Sequence, residues 1–488
     1  MNPVKVTLFN NLTRKKEEFT PLVSGEVKFY SCGPTTYDFL HVGNARALVV
    51  GDLIHRVLRT LGYKVTFTRN FTDVDDKIID RAKELNVSPL DHADRFVKEC
   101  QIDMEHLGMM PATYTPKVSE TMKEIIVMIE DLIKNGFAYV INGEVLYHVP
   151  LFKDYGKLSK AQLESLQHGI RVEVDGHKKH PSDFVLWKPT KTNEAASWES
   201  PWGFGRPGWH IECSAMAKKF LGKSIDIHHG GVDLMFPHHE NEIAQSEAAN
   251  GREFCHHWCH NEFLNFGAEK MSKSLGNVVT IRQFVEKFSG QVLRQVLISV
   301  HYRSKMDWSD DVIEKGINDV ERIHQFVIKF NKDKNSNLQV KKRDDLSEVE
   351  NVLSLMQAEL ANDFNVPGAL GHFFSAIRFY NREFNSERPD KLISKIFEEI
   401  IKFTQESTGL ISVNPEKTLS DLEVMKKRLS GGTSTDSQIE ELITKRKEAK
   451  KNKDFATADK IRNELISMGV TLKDNPDGSI TWSYTGSS

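Results

Sequence analysis

Cysteine is scarce in this chain, with five thiols (Cys32, Cys100, Cys213, Cys255 and Cys259) among 488 residues. A set so small and odd in number argues against a secreted disulfide framework and points to a reducing compartment. Long apolar runs are missing too, so no segment reaches membrane-spanning length. Met1-Asn2-Pro3-Val4-Lys5 carries no secretory hydrophobic region, and the expected location is the cytoplasm. Charge of one sign is also lacking: 65 Lys and Arg stand against 68 Asp and Glu, a formal net charge of −3. Near-neutrality neither supports nor excludes a polyanionic partner, because a local patch can supply the attraction. No internal repeat stands out.

At this length two to four domains are expected, in a chain of ordinary globular composition. Residues 26–70 read as a βαβ unit. Val27, Phe29 and Ser31 alternate as in a strand that ends near Cys32-Gly33-Pro34. Val49, Leu53, Val57 and Leu61 then recur on one helical face, Gly62 stops the helix, and Lys64–Thr68 alternates again. A strand, a turn bearing His41, a helix and a second strand open a doubly wound sheet, whose ligands bind beyond the carboxyl ends of the strands.

Residues 115–205 are irregular and read as an insertion, with parallel-strand character returning at Ser224–His228 and Phe254–His260. Residues 280–300 read as one helix, and Ile313, Ile317, Val320, Val327 and Phe330 mark another long one. Residues 346–410 are helical in pattern apart from a break at Asn365-Val366-Pro367. Ser430–Thr435 reads as a linker, Gln438–Lys453 as a basic amphipathic helix, and a small tail ends near Trp482.

Two short motifs point to phosphate chemistry. Lys270-Met271-Ser272-Lys273-Ser274 sets two lysines among small or flexible residues, a clamp for a triphosphate, although such a loop standing alone is more often solvated surface. Upstream, the turn His41-Val42-Gly43-Asn44 opens a helix whose N-terminus can face the same phosphates.

A third constellation points to a metal. His238 and Glu242 lie at i and i+4 after Pro237, so one helical face presents an imidazole and a carboxylate. Both are good zinc ligands, and soft thiolates are obvious candidates for the remaining two. A solvated His/Glu pair and small buried cysteines are the bland readings of the same residues. Cys255-His256-His257-Trp258-Cys259-His260 looks locally more metal-like. In a strand, however, residues four apart sit about 13 Å apart and cannot grip one ion.

The His41 turn and the lysine loop resemble the two ATP signatures of class I aminoacyl-tRNA synthetases. The longer motifs narrow the resemblance to the cysteinyl-tRNA synthetase family. They are Cys32-Gly33-Pro34-Thr35-Thr36-Tyr37-Asp38, Asn70–Lys77, Gly205–Met216, Asp233–Glu242, Lys270–Asn277, Asn362-Asp363-Phe364-Asn365 and Asp454–Asp459. They span nearly the whole chain.

The resemblance implies a Rossmann-like doubly wound α/β catalytic domain at residues 1–310 with a connective insertion at 115–205. A helical stem-contact domain at 311–415 and a linker with a small anticodon-binding domain at 416–488 would follow. It implies ligation of L-cysteine to tRNA(Cys) with ATP, by a cytoplasmic monomer. One zinc ion would sit on Cys32, Cys213, His238 and Glu242, and magnesium would accompany ATP.

His41, Asn44, Lys270 and Lys273 take the catalytic roles; Gly43, Asp233, Ser272 and Ser274 join them around ATP, with a purely structural turn as the alternative for Asp233. Gly33, Thr35, Thr72 and Trp209 fall to the cysteine pocket, with an ordinary core tryptophan as the alternative for Trp209. Asn44 stands where the generic signature has histidine, which removes any charge-based role there.

Lys445, Arg446, Lys447, Lys450, Lys451 and Lys453 are expected to meet tRNA phosphates, and Trp482 to stack on an anticodon base or pack a core. Two further readings stay open: a ligase that joins the cysteinyl adenylate to an amino sugar, and a tRNA-binding paralogue without activity.

Overall fold

Four parallel strands organise the N-terminal half: β1 (Glu26–Ser31), β2 (Lys64–Arg69), β3 (Ile225–Gly231) and β4 (Cys255–Asn261), in spatial order β4-β3-β1-β2. The computed structural model describes residues 3–160, 178–190, 195–266, 279–343, 345–429, 436–451, 454–467, 470–474 and 480–484. Phe29 on β1 lies opposite Phe67 on β2 and Ile227 on β3. The chain leaves β1 toward β2 on one side and returns through β3 on the other. The gap beyond the ends of β1 and β3 is therefore the switch point where such sheets bind ligands.

Helix α1 (Val42–Thr60) joins β1 to β2 and buries Val49, Leu53, Ile54, Val57 and Leu58, as its spacing predicts. Helix α2 (Trp209–Leu221) precedes β3, and α3 (Glu240–Asn250) lies between β3 and β4. The insertion is more regular than its sequence. After a helix at Met122–Lys134, the strands Ala138–Ile141, Glu144–Tyr147, Phe184–Pro189 and Gly205–Pro207 form an antiparallel sheet in that order. Strands of three to six residues are too short to print a clear alternation.

Residues 280–300 are not one helix. They split into Ile281–Lys287 and Gly290–Ile298, because the Ser289 side chain accepts from the Val292 N–H at 3.1 Å and starts a new helix. Helices α4 (Asp310–Lys334), α5 (Val366–Glu383) and α6 (Lys391–Thr408) pack around Phe326, Phe330, Phe373, Phe379, Tyr380 and Phe397. The break at Asn365-Val366-Pro367 is the start of α5, where Asn365 caps the Gly368 N–H at 3.2 Å and Pro367 occupies the first turn.

A buried ion cluster ties these layers together. Asp52 on α1 receives Arg56 Nε at 2.8 Å, Arg294 Nη2 at 2.6 Å and the Met110 N–H at 2.7 Å. Arg294 also donates to the carbonyl of Thr408, at the end of α6, at 2.6 Å.

The tail holds α7 (Asp436–Lys451), α8 (Phe455–Ser467) and the hairpin Val470–Asp474/Ile480–Tyr484, around Ile439, Ile443, Ile461, Leu465 and Val470. The linker 430–435 lies outside the described residues. Among the described residues no helix is long and apolar enough to cross a membrane.

Candidate active site

Cys32 follows β1 directly, and its N–H donates to the His229 carbonyl on β3 at 3.1 Å, so its thiol sits at the switch point. The neighbouring backbone explains the motif. A Cβ on Gly33 would fall 1.6 Å from the Asn70 carbonyl oxygen, so no other residue lets the post-β1 loop pass that close. Gly208 starts α2 under the same constraint: a Cβ there would meet the Val185 carbonyl oxygen at 2.0 Å. That contact seats the first turn of α2, and with it Cys213, against the insertion.

Cys32, Cys213, His238 and Glu242 bring one ligand atom each to within 4.8 Å of one another. The Cys32 and Cys213 sulfurs are 4.0 Å apart, Cys32 Sγ and Glu242 Oε1 3.6 Å, and His238 Nε2 and Glu242 Oε1 3.1 Å. Tetrahedral zinc with bonds of about 2.0–2.3 Å sets its ligand atoms about 3.3–3.8 Å apart, close to these spacings. His238 sits just before α3, yet the i, i+4 relation to Glu242 holds.

The electrostatics of the four groups favour a cation. The hydrogen bond from Cys32, helped by His238, draws the Cys213 thiol down to about 6. Burial and the Cys213 sulfur push the Cys32 thiol up. Burial works against charge on His238, but Glu242 and Cys213 outweigh it and hold the imidazole at about 10. Glu242 lies at about 2, because His228 and His238 overcome its burial. Two sulfurs and a carboxylate thus gather around one imidazole, and a dication would satisfy all four by displacing the protons of the imidazole and the thiols.

Further histidines surround this cluster, and the sequence reading missed them; His210 Nδ1 lies 2.9 Å from His238 Nδ1. His228 Nε2 contacts Glu242 Oε2 at 2.9 Å, His239 Nε2 approaches Cys32 Sγ at 3.4 Å, and His260 Nε2 contacts His239 Nδ1 at 2.8 Å. Cys32, His228, His239 and Glu242 form a second, overlapping group of four. His228 leaves one oxygen of Glu242 for the metal side and occupies the other, as an outer partner of a metal ligand does. The available signal was the polar pair His228-His229 in a central parallel strand, where apolar residues are the rule.

The cluster opens, through Cys32, into a cavity of about 660 Å³ that Trp209, His41, Asn44, Asp233 and Glu262 also line. Gly33, Thr35 and Gly43 also line it. Thr72 does not. It is buried, takes the Asn70 side-chain N–H at 3.1 Å on its hydroxyl, and its carbonyl accepts the Thr36 N–H at 3.0 Å, so it clamps the loop behind Thr35. Trp209 is 41 % exposed with its ring 4.3 Å from that of His238, which removes the core-tryptophan alternative.

His41 is the N-cap residue of α1, and Asn44 Oδ1 accepts the His41 N–H at 3.2 Å, so Asn44 braces the turn. Lys270, Ser272, Lys273 and Ser274 lie outside the described residues. The flanking residues reach the same place: Phe266 lines the cavity, and the Val279 carbonyl accepts the Val42 N–H at 3.0 Å.

Cys255 and Cys259 form no metal group among the described residues. They are buried in two different apolar clusters on β4. In the tail, Arg446 is buried rather than presented to phosphates, and Lys445 pairs with Glu441 at 2.8 Å. Trp482 packs against the small apolar core there, so core packing is the reading the structure takes. Lys453 lies outside the described residues.

Comparison with known proteins fits this site. Residues 18–318 match the model of the class I (C) tRNA synthetase catalytic domain, and residues 433–482 that of the cysteinyl-tRNA ligase anticodon binding domain. The chain belongs to the cysteine–tRNA ligase family. A cysteine–tRNA ligase of Geotalea uraniireducens is 43 % identical over 98 % of this chain and 99 % of its own length. One of Maridesulfovibrio salexigens is 44 % identical over the same shares. These are class I aminoacyl-tRNA synthetases, and the chain is an enzyme of that family.

The fold agrees. The Mycobacterium tuberculosis methionyl-tRNA synthetase in complex with methionyl-adenylate superposes with a TM-score of 0.60 at 15 % identity, covering 81 % of this chain and 93 % of that one.

Proposed function

We propose that this enzyme joins the carboxylate of L-cysteine to the α-phosphate of ATP, releasing pyrophosphate, and passes the cysteinyl group to the 3′-terminal ribose of tRNA(Cys). The observation that carries this reading is the Cys32/Cys213/His238/Glu242 cluster beside a cavity that Cys32 and the His41 turn both line. Those four residues would hold one zinc ion, which their two sulfurs, one nitrogen and one oxygen fit. When bound, zinc supplies a Lewis acid that lowers a thiol's pKa and prefers sulfur to a hydroxyl, and so selects cysteine over serine. Packing alone discriminates such isosteres poorly.

The chain's own residues do the rest. Trp209, Gly33 and Thr35 wall the cysteine end of the cavity. Toward ATP, His41 and the N-terminus of α1 offer donors to the phosphates, Asn44 keeps that turn closed, and Asp233, which lines the same cavity, accepts hydroxyl hydrogens of the ribose. Charge grows on the β- and γ-phosphates as the carboxylate attacks, and fixed donors there lower the barrier. Lys270 and Lys273, with Ser272 and Ser274, take that role with magnesium, which keeps most of its waters. Lys447 and Lys450 on α7 offer salt-sensitive affinity for the tRNA backbone. The enzyme works as a cytoplasmic monomer.

Cysteine-dependent ATP–pyrophosphate exchange, with serine as control, tests the first step, and charging of unmodified tRNA tests the second. No exchange by zinc-loaded enzyme overturns the proposal. Exchange without charging assigns the adenylate to a different acceptor, such as an amino sugar.

A further inference from the structure

The motif Asn362-Asp363-Phe364-Asn365 lies outside the cavity, between the helix Val352–Ala361 and α5, yet its aspartate is 1 % exposed. Asp363 and Phe364 both adopt left-handed backbone angles, with φ of 61° and 53°. For non-glycine residues this is disfavoured, and two in a row persist only where surrounding contacts impose them.

Those contacts come from three parts of the chain. The Asp363 N–H donates to the Thr7 carbonyl at 2.7 Å, and the Phe9 N–H returns to Asp363 Oδ1 at 3.0 Å, locking the turn to the N-terminal strand Thr7–Asn10. The Tyr302 hydroxyl donates to Oδ1 at 2.8 Å and Arg303 Nε to Oδ2 at 2.8 Å. His301 Nε2 meets the Asp363 carbonyl oxygen at 2.9 Å. Asp363 thus fixes three successive residues, Tyr302 and Arg303 through its carboxylate and His301 through its carbonyl.

That short segment holds two walls of the cavity. The Tyr302 carbonyl accepts the Glu262 N–H at 2.9 Å, and the chain just after it pairs in parallel with the same wall, Leu264 beside Met306 and Asn265 beside Asp307. The Trp308 N–H donates to the Asn265 carbonyl at 2.7 Å. Glu262 through Phe266 all line the cavity.

On the other side, Arg46 of α1 donates to the Ser304 carbonyl at 2.6 Å and to the Tyr302 carbonyl at 3.3 Å. Arg46 stands between Asn44 and Ala47, which line the same cavity. The His41 turn and the Glu262–Phe266 wall therefore share one support, and that support is gripped by Asp363. The metal cluster hangs on β1, α2 and α3, and meets this support only indirectly among the described residues, through the Cys32–His239 and His239–His260 contacts to β4.

We infer that Asp363 is a positioning residue for the nucleotide end of the site: through the 301–308 segment it sets the spacing between α1 and the Glu262–Phe266 wall. This rests on the proposed adenylation reaction and extends it. A loosened support changes nucleotide binding while the cysteine end keeps its geometry.

The test is pyrophosphate exchange by full-length enzyme, titrating ATP and cysteine separately, alongside the thermal midpoint. Asp363→Asn keeps the shape and the Oδ1 acceptor but removes the charge that holds Arg303. It is expected to raise the KM for ATP about 10-fold, within the range that small misplacements cost, with the cysteine KM within twofold of native. Arg303 has a side chain 33 % exposed, so Arg303→Met tests the same pair where Asp363→Asn does not fold, and should move the ATP KM the same way. Arg303→Lys, which keeps the charge, should restore most of the ATP affinity.

A lower thermal midpoint with both KM values unchanged, or equal increases in both, overturns the inference and leaves Asp363 as a domain staple. Native enzyme without cysteine-dependent exchange instead sinks the proposed function.

Discussion

Replacing His228 by phenylalanine isolates one hydrogen bond at the heart of the proposed specificity site. The His228 and Glu242 side chains are both fully buried, and Nε2 lies 2.9 Å from Oε2. The imidazole stacks on Trp258 with centroids 4.5 Å apart and planes 15° from parallel, a contact a phenyl ring preserves. What disappears is a donor to a buried carboxylate, a bond worth about 1.5–3 kcal/mol. That corresponds to a loss of zinc affinity of roughly 10- to 150-fold, and outer partners of metal ligands cost about 10- to 100-fold when removed. His228 is also the leading charge that holds Glu242 down against its burial, so the variant's carboxylate should protonate more readily and compete less well for metal.

Competition with a chromophoric chelator measures the affinity, and exchange assays give the cysteine-to-serine ratio. The ATP KM should stay within twofold of native. A folded variant with native zinc affinity, or one that loses ATP affinity in step with zinc, refutes the reasoning.

Cys213→Ser is expected to lower zinc affinity more than 100-fold, above the usual outer-partner effect, and to erode cysteine-over-serine selection with the ATP KM unchanged. Metal analysis and paired kinetics decide it, and lost ATP affinity with intact selection contradicts it. Trp209→Ala should raise the cysteine KM about 5-fold in exchange assays. Because the residue is 41 % exposed, its unfolding free energy should move by no more than about 0.5 kcal/mol. Arg294→Met leaves the fully buried Asp52 short of a partner and should cost about 3–5 kcal/mol in urea unfolding. Burial alone would raise the Asp52 carboxyl, but Arg294 and Arg56 hold it below its ordinary 3.8. Its stabilisation is therefore present above that value and lost as pH falls through the lower folded pKa. In the variant the loss should begin at higher pH, which acid unfolding curves will show.

Much of this was legible in the residues. The apolar faces of α1 and α4 gave their helices, and the strand–turn–helix order placed His41 at the switch point before any coordinates. His238 and Glu242 declared themselves by helical spacing. Cys32 and Cys213 could be joined to them only by resemblance, because three remote segments meet through sheet order that no local pattern encodes.

The histidines were hidden for a related reason. His228, His239 and His260 read in sequence as side chains that would face water, and they become interior groups only when β3, β4 and the start of α3 are packed together. Arg446 was misread by the opposite logic, a cation in a basic run that turns inward. The insertion hid its sheet in strands too short to show a period.

The order of the strands also has a consequence for biosynthesis. Ser31 on β1 contacts His229 on β3 across 198 residues of chain. At about 5–20 residues per second, roughly 10–40 s of translation separate the two strands. Through that interval β1 has β2 for company on one edge and an open edge on the other, a position exposed to wrong pairing. The four ligand residues cannot meet until Glu242 has been made and β3 has closed that edge, so metal capture follows that closure and cannot seed the catalytic core. Nascent chains halted before β3 should be the stage most dependent on chaperones.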